Sequence, residues 1–275
     1  MTRRDVTAAD GTRVLWFDGT AEFAHEAAAC SGARAQAIGL KGWAGETWDE
    51  AVAGAVCGRT DHVKAAEALL EQVQCEVPAL RSEWLPSRAG AYPVVPEALM
   101  GLPEPMRRKV SVPSERAPLR VFVDVTSSMG VPHDALARRG VACLALAMAL
   151  GNERAVELVV VTGLSGRVRA AVAVRVPSSP LDLATACVAL TSAGFARGLG
   201  YALCRSVGAG GDWLFGEYPV GVTGRARYVA RLRAALDADE HDLVVSPTML
   251  GDEATSDPVG FVRRGIAEHG GGEVV

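Results

Sequence analysis

Asp124, Thr126 and Ser128 stand at alternate positions in Val121-Phe-Val-Asp-Val-Thr-Ser-Ser-Met-Gly130, where an apolar run ends in a cluster of short oxygen-bearing side chains. A strand has a side-chain period of two, so a strand continued through these residues projects all three to one side, at its carboxyl end. One carboxylate and two hydroxyls suit a hard cation such as Mg²⁺, which takes oxygen ligands in octahedral geometry and keeps several waters. The plainer alternative is a turn. Asp, Ser and Thr after a strand also cap helices and bond to nearby backbone N–H groups with no ion present.

The spacing is Asp-x-Ser-x-Ser with Thr in the second place, and with Met129-Gly130 behind it the segment resembles the first loop of the metal-ion-dependent adhesion site of von Willebrand factor A domains. The resemblance covers residues 119–275 and implies two further loops. The second supplies a Thr just before a helix; Thr191 in Leu190-Thr-Ser-Ala-Gly-Phe is the candidate, with Ser192 as the alternative. The third carries Thr-Asp-Gly in the family, whereas here the sequence is Ser246-Pro-Thr-Met-Leu-Gly-Asp252. Thr248 aligns with the Thr and Met249 falls where the Asp belongs, so Asp252 is the substitute if the loop is rebuilt around Pro247. The ligand set implied by the resemblance is Asp124, Thr126, Ser128, Thr191 and Asp252. The implied cofactor is Mg²⁺, and the implied partner is a protein whose acidic side chain completes the metal's coordination.

The elements that would position this cluster follow from apolar periodicity. Leu119–Val125 and Val156–Val161 read as strands buried on both faces, joined by a helix from about His133 to Leu150 that Gly151 and Asn152 stop. Arg167–Val176 alternates as an antiparallel edge strand would, after a turn at Gly163–Gly166. Helices over Leu181–Leu190, Phe195–Cys204 and Arg225–Leu236, a strand over Asp242–Leu250, a helix over Pro258–His269 and a short strand at Glu273–Val275 complete the expected order. The fold class expected is α/β, with a doubly wound, mostly parallel sheet of A-domain or Rossmann-like type. Such sheets bind ligands at the carboxyl ends of their strands.

Residues 1–80 read as a helical amino-terminal region with a possible strand at Arg13–Phe17. Thr47 and Glu50 form a capping box that opens a helix, Gly58 ends it, and Val63, Ala66, Leu69, Leu70 and Val73 mark a second, amphipathic helix that Trp43 and Trp48 would help to cover. Residues 81–118 form a proline-rich connector. Its apolar segments, Tyr92–Pro96 and Leu99–Met106, are expected to lie against a domain surface. The A-like domain occupies 119–275.

A net charge of −4 gives no global field to attract nucleic acid or an anionic membrane. The longest apolar run, Val141–Leu150, is half of what a membrane span requires. No secretory signal follows Met1, and the six cysteines form no Cys-x-x-Cys pair, so a cytoplasmic protein with buried reduced thiols is expected. Gly194, Gly198 and Gly200 lack a Gly-Lys-Ser/Thr ending and fit helix packing better than a phosphate loop. Ser127 and Ser128 lack a Gly-x-Ser-x-Gly elbow, and no histidine pair has metal-ligand spacing.

The chain as a whole, with Val95-Pro-Glu-Ala-Leu-Met-Gly-Leu-Pro-Glu-Pro-Met106 before the A-like strand, is similar to proteins of phages and prophage-bearing bacteria. The expected function is a non-enzymatic protein-interaction module of phage-related type, with the Mg²⁺ dependence that the A-domain resemblance implies. The alternatives are a metal-free structural phage component and a Mg²⁺-dependent phosphoryl-transfer enzyme with Asp124 and Asp252 as its clamp.

Overall fold

The two strands marked by continuous apolar runs, Leu119–Asp124 and Val156–Leu164, lie side by side inside a six-stranded sheet. The computed structural model describes residues 3–30, 40–74, 82–89, 92–111, 118–127, 130–164, 168–178, 180–209, 221–247 and 252–270. The strands are β1 (Arg4–Thr7), β2 (Arg13–Phe17), β3 (Ser82–Ser87), β4 (Tyr92–Pro93), β5 (Met106–Ser111), β6 (Leu119–Asp124), β7 (Val156–Leu164), β8 (Ala170–Val176) and β9 (Leu243–Val245). The helices are α1 (Thr20–Ala29), α2 (Leu40–Ala44), α3 (Trp48–Cys57), α4 (Val63–Gln74), α5 (Val95–Leu99), α6 (His133–Glu153), α7 (Leu183–Thr191), α8 (Tyr201–Ser206), α9 (Gly221–Leu236), α10 (Glu253–Ser256) and α11 (Pro258–His269). A π-helical turn, Gly194–Gly200, leads into α8.

The protein is α/β, and its main sheet is mixed, in the order β1-β2-β8-β7-β6-β9. β6 runs parallel to both β7 and β9, β7 and β8 form an antiparallel pair, and β2 lies parallel to β8 with β1 antiparallel outside it. Alternate residues divide between two cores, as a period of two requires. Leu15, Phe17, Val121, Val123, Leu158, Val160, Val172 and Val174 face the layer built from α1, α3, α4, α6, α7, α8 and α11. Val14, Trp16, Phe122, Val159, Val161, Ala171 and Ala173 face Leu232, Ala235 and Leu236 of α9. Helices thus cover both faces, one far more heavily than the other.

Several local expectations hold. Thr47 and Glu50 form the capping box in full, with Gly58 at φ 71° closing α3. The buried stripe of α4 is Val63, Ala66, Leu69, Leu70 and Val73. Gly194 and Gly200 are packing positions, one against Glu46 and the other against Thr162. Gly140 of α6 lies against the Leu190 carbonyl, so these two helices approach closely only because that position has no Cβ.

Other expectations are corrected. Arg13–Phe17 is a strand of the main sheet, and because it pairs with β8, Ala170–Val176 is an inner strand and not an edge. The stripe of α4 is covered mainly by α6 and α11, not by Trp43 and Trp48. Cys143, Cys187 and Cys204 are buried thiols, but Cys57 is exposed; Cys75 lies outside the described residues. The proline-rich stretch forms its own three-stranded antiparallel sheet, β3-β5-β4, with α5 beside it. Leu99 and Met100 are not packed against a domain surface, being 84% and 68% exposed. The strand expected over Asp242–Leu250 is β9 as far as Val245, while residues 248–250 and the expected strand at Glu273–Val275 lie outside the described residues. Among the described residues no single helix is long and apolar enough to cross a membrane.

Candidate functional site

Asp124 ends β6, an inner strand, and its neighbours on both sides remove it from water completely, at 0% exposure. A carboxylate so placed must find hydrogen bonds. Oδ1 accepts from the Thr126 backbone N–H at 2.8 Å, an Asx-type turn, and Oδ2 accepts from the Tyr228 hydroxyl at 2.7 Å. Burial pushes the Asp124 carboxyl above its ordinary range, while the bonds from Thr126 and Tyr228 and the charge of Arg139 oppose the rise. Thr126 Oγ1 accepts from Gly163 N–H at 2.9 Å, which fastens the loop after β6 to the end of β7.

The next residue holds the loop from the other side. Ser127 is fully buried. Its hydroxyl accepts from Arg197 Nε at 3.0 Å, and its carbonyl accepts from the Tyr201 hydroxyl at 3.0 Å. The Arg197 guanidinium, itself 3% exposed, also donates to the carbonyls of Trp43 at 3.0 Å and Val131 at 2.6 Å and lies 4.9 Å from the Trp43 ring centre. The π-helical turn places Arg197 at this depth, and Glu46 fixes the start of the turn by accepting from Gly194 N–H at 2.8 Å and from the Ser192 hydroxyl. Arg59 in turn pairs with Glu46 at 2.9 Å.

A second buried guanidinium closes the crevice on the side of β9. Arg139, in the second turn of α6, is 2% exposed. Its Nε donates to Asp252 Oδ2 at 2.9 Å, and its Nη2 donates to the Ser246 carbonyl just after β9. The negative charges of Asp252 and Asp124 both stabilise its charged form. Asp252 also caps α10, accepting from Ala254 N–H at 3.1 Å.

Of the five residues singled out from the sequence, the structure therefore gathers Asp124 and Thr126 in one turn and pairs Asp252 with Arg139, whose charge also acts on Asp124. Thr191 is engaged elsewhere: its hydroxyl donates to the Cys187 carbonyl at 2.7 Å, one turn back on its own helix. Ser192, the alternative, donates to Glu46. Ser128, Thr248 and Met249 lie outside the described residues. Among the described residues no three His, Cys, Asp or Glu side chains come together as a metal would need. Both Asp124 oxygens already accept hydrogen bonds, and Asp252 is ion-paired with Arg139, whose positive charge also acts on Asp124. As arranged, the described groups do not fit Mg²⁺.

Three residues at the crevice were not singled out from the sequence. Arg139 had a readable signal, since Leu136, Arg139, Gly140 and Cys143 fall at helical spacing on one buried face, and an arginine in such a stripe needs a counter-charge. Arg197 sits among small and apolar residues with no acid near it in sequence, which is a weaker sign of the same kind. Tyr228 read as part of the apolar stripe of α9, and nothing local tells that its hydroxyl reaches a carboxylate 104 residues away in sequence. His133, beside the loop, is exposed, with its ring against Gly45.

The site holds no nucleophile paired with a base among these groups: the one buried hydroxyl in the loop, Ser127, accepts from a guanidinium. Arg197 holds Ser127 and the Val131 carbonyl, while Arg139 holds Asp252 and the Ser246 carbonyl. No curated protein and no solved structure matches the chain. A family profile described as a domain of unknown function (DUF7192) matches residues 9–248, and the chain belongs to that family.

Proposed function

We propose that the chain is a non-enzymatic protein-interaction module of von Willebrand A type, of a phage-related kind, in which Arg139 organises the crevice in place of a divalent ion. The observation that carries the reading is the Arg139 guanidinium held between Asp252 and the Ser246 carbonyl, in the field of Asp124. A dication there would be repelled by the arginine, and the buried carboxylates already have a counter-charge.

The A-type reading is supported by the strand succession β8-β7-β6-β9, with β7 to one side of β6 and the chain returning to pair β9 on the other. Asp124 then lies beside the point where the strand order reverses, which is where open α/β sheets present their loops to ligands. Above the pinned Asp124–Ser127 turn, Gly130, Pro132, His133 and Asp134 are exposed and form a rim on a rigid base. A rigid loop loses little entropy when it docks, which favours a partner surface over catalysis. In this reading the partner's carboxylate is no longer needed to complete a metal site. A phosphoryl-transfer enzyme would need a nucleophile, a base and a free acidic clamp, and the carboxylates here are occupied.

The test pairs calorimetry with capture. The full chain should give no saturable heat with Mg²⁺ or Mn²⁺, and a protein retained on it from host extract should stay bound in EDTA but be lost from His133→Ala/Asp134→Arg. Saturable metal binding abolished by Asp124→Ala, or release of the partner by EDTA, would defeat the metal-free reading. Turnover of nucleotides or esters abolished by Asp124→Ala would favour the enzyme.

A further inference from the structure

Of the eight large hydrophobic side chains that are exposed among the described residues, six lie between Leu85 and Leu102: Leu85, Tyr92, Val95, Leu99, Met100 and Leu102. They lie in the small sheet β3-β5-β4, in α5 beside it and in the turn that follows α5, an arm whose strands, among the described residues, pack substantially only on one another. Their orientation is fixed by the arm's own construction. Arg107 of β5 holds Glu97 of α5 in a two-pronged ion pair, Nη2 to Oε1 at 2.5 Å and Nη1 to Oε2 at 2.9 Å. Val95 and Leu99 are four residues apart and share a helix face, while Glu97 lies roughly 200° around the helix from Val95. The ion pair that fastens α5 to the sheet by its polar side therefore turns its apolar side outward. A five-residue helix has little stability of its own and gains it from what covers that side.

We propose that the arm is a self-association surface, on which α5 of a second copy of this chain packs against α5 of the first. Two observations favour a second copy as the occupant. The first is area. Leu85 pairs with Arg108 and Tyr92 with Arg107, so Leu85 lies on the sheet face away from α5; the other five side chains leave on the order of 600 Å² uncovered, the share per partner at the lower end of specific interfaces. The second is charge. Residues 82–111 carry three acids, Glu83, Glu97 and Glu104, and four bases, Arg88, Arg107, Arg108 and Lys109. A nearly neutral arm meets its own copy without the like-charge repulsion that a strongly charged one would suffer. A two-fold axis through α5 places Leu99 and Met100 of each copy at the centre, where interface energy concentrates.

The arm includes no residue of the Asp124 turn or of the side chains that hold it, so the inference stands apart from the proposed function. The test is sedimentation of the full chain over a wide concentration range. A reversible dimer is expected, weakened about a hundredfold or more by Leu99→Glu/Met100→Glu, since a buried charge and the loss of two central apolar contacts act together. Val56→Glu, a charge placed on the exposed apolar residue of α3, should leave the dimer as it is. Because Leu99 and Met100 are exposed, the double variant keeps its fold, which circular dichroism checks. A monomer at every concentration, a dimer untouched by the double variant, or equal loss with Val56→Glu would each overturn the proposal.

Discussion

The crevice and the arm break the usual rule of burial in opposite directions. Around Asp124 the chain buries two guanidiniums and a carboxylate among hydrocarbon, whereas residues 82–111 place hydrocarbon in water on a helix fastened by the Glu97–Arg107 ion pair. Inside, every charge has been given a partner, because an unpaired one costs several kcal/mol. Outside, the apolar side chains stay largely in contact with water in the monomer, and the cost of exposing them is smaller and removable by association. The difference predicts where substitutions register. Changes at the crevice should appear in folding stability, and changes on the arm should appear only in assembly.

The largest effect is expected from Arg139→Met. It removes the counter-charge of Asp252 and Asp124 while keeping most of the side chain's volume, and breaking a buried ion pair in this way costs about 3–5 kcal/mol. Urea denaturation measures it. Adding Asp124→Asn to Arg139→Met should recover part of the loss, a coupling that a double-mutant cycle reads directly. Full additivity would mean that the two groups do not share one field, and the comparison would lose its crevice side. Gly140→Ala, which drives a methyl into the Leu190 carbonyl, should cost about 1–3 kcal/mol by forcing α6 and α7 apart.

A smaller effect is expected from pH. Burial raises the Asp124 carboxyl above its ordinary range, so the folded chain keeps this proton at pH values where the unfolded chain has lost it. Between the two values folding takes up a proton, and stability falls as pH rises from the ordinary aspartate range through the folded-state value. Asp124→Asn cannot titrate. The stability of the wild type relative to this variant should therefore decline with rising pH across that window. Carboxylates held low, such as Asp182 bonded by Thr185, act in the opposite sense but are common to both proteins and cancel. A difference that rises with pH would show that the Tyr228 and Thr126 bonds outweigh burial, and a constant one that they balance it.

The framework of the sheet was legible because it rests on short-range pattern. Continuous apolar runs marked β6 and β7, and the Thr47–Glu50 box marked the start of α3 to the residue. What escaped was what depends on contacts distant in sequence. The period of Ala170–Val176 is the same whether the strand is at an edge or has β2 beside it, and only the parallel pairing of Arg13–Phe17 decides the matter. The Asp124 motif was visible as a cluster of oxygen ligands, but its environment was set by Arg139, Arg197 and Tyr228, which lie on three other elements. Motif spacing reports what one loop offers. The charge that answers it comes from elsewhere in the fold, and here it comes from arginines. The arm misled in the other direction: its apolar residues implied a covering surface, and within one chain the structure supplies none among the described residues.

The smallest effect, and the one that bears most directly on the comparison, is expected from Leu99→Glu on the monomer. Leu99 is 84% exposed and the Glu97–Arg107 pair, not Leu99, fastens α5 to the arm, so the substitution removes almost no intrachain contact. Unfolding measured at a concentration where the wild type is monomeric should change by no more than about 0.5 kcal/mol. At higher concentration the wild type should gain stability by mass action and the variant should not, so their midpoints diverge as protein is added. A substantial loss in the dilute sample would mean that Leu99 is covered by its own chain, and the arm would then be an ordinary packed element. Parallel midpoints at every concentration would leave the exposed surface without a second copy to cover it.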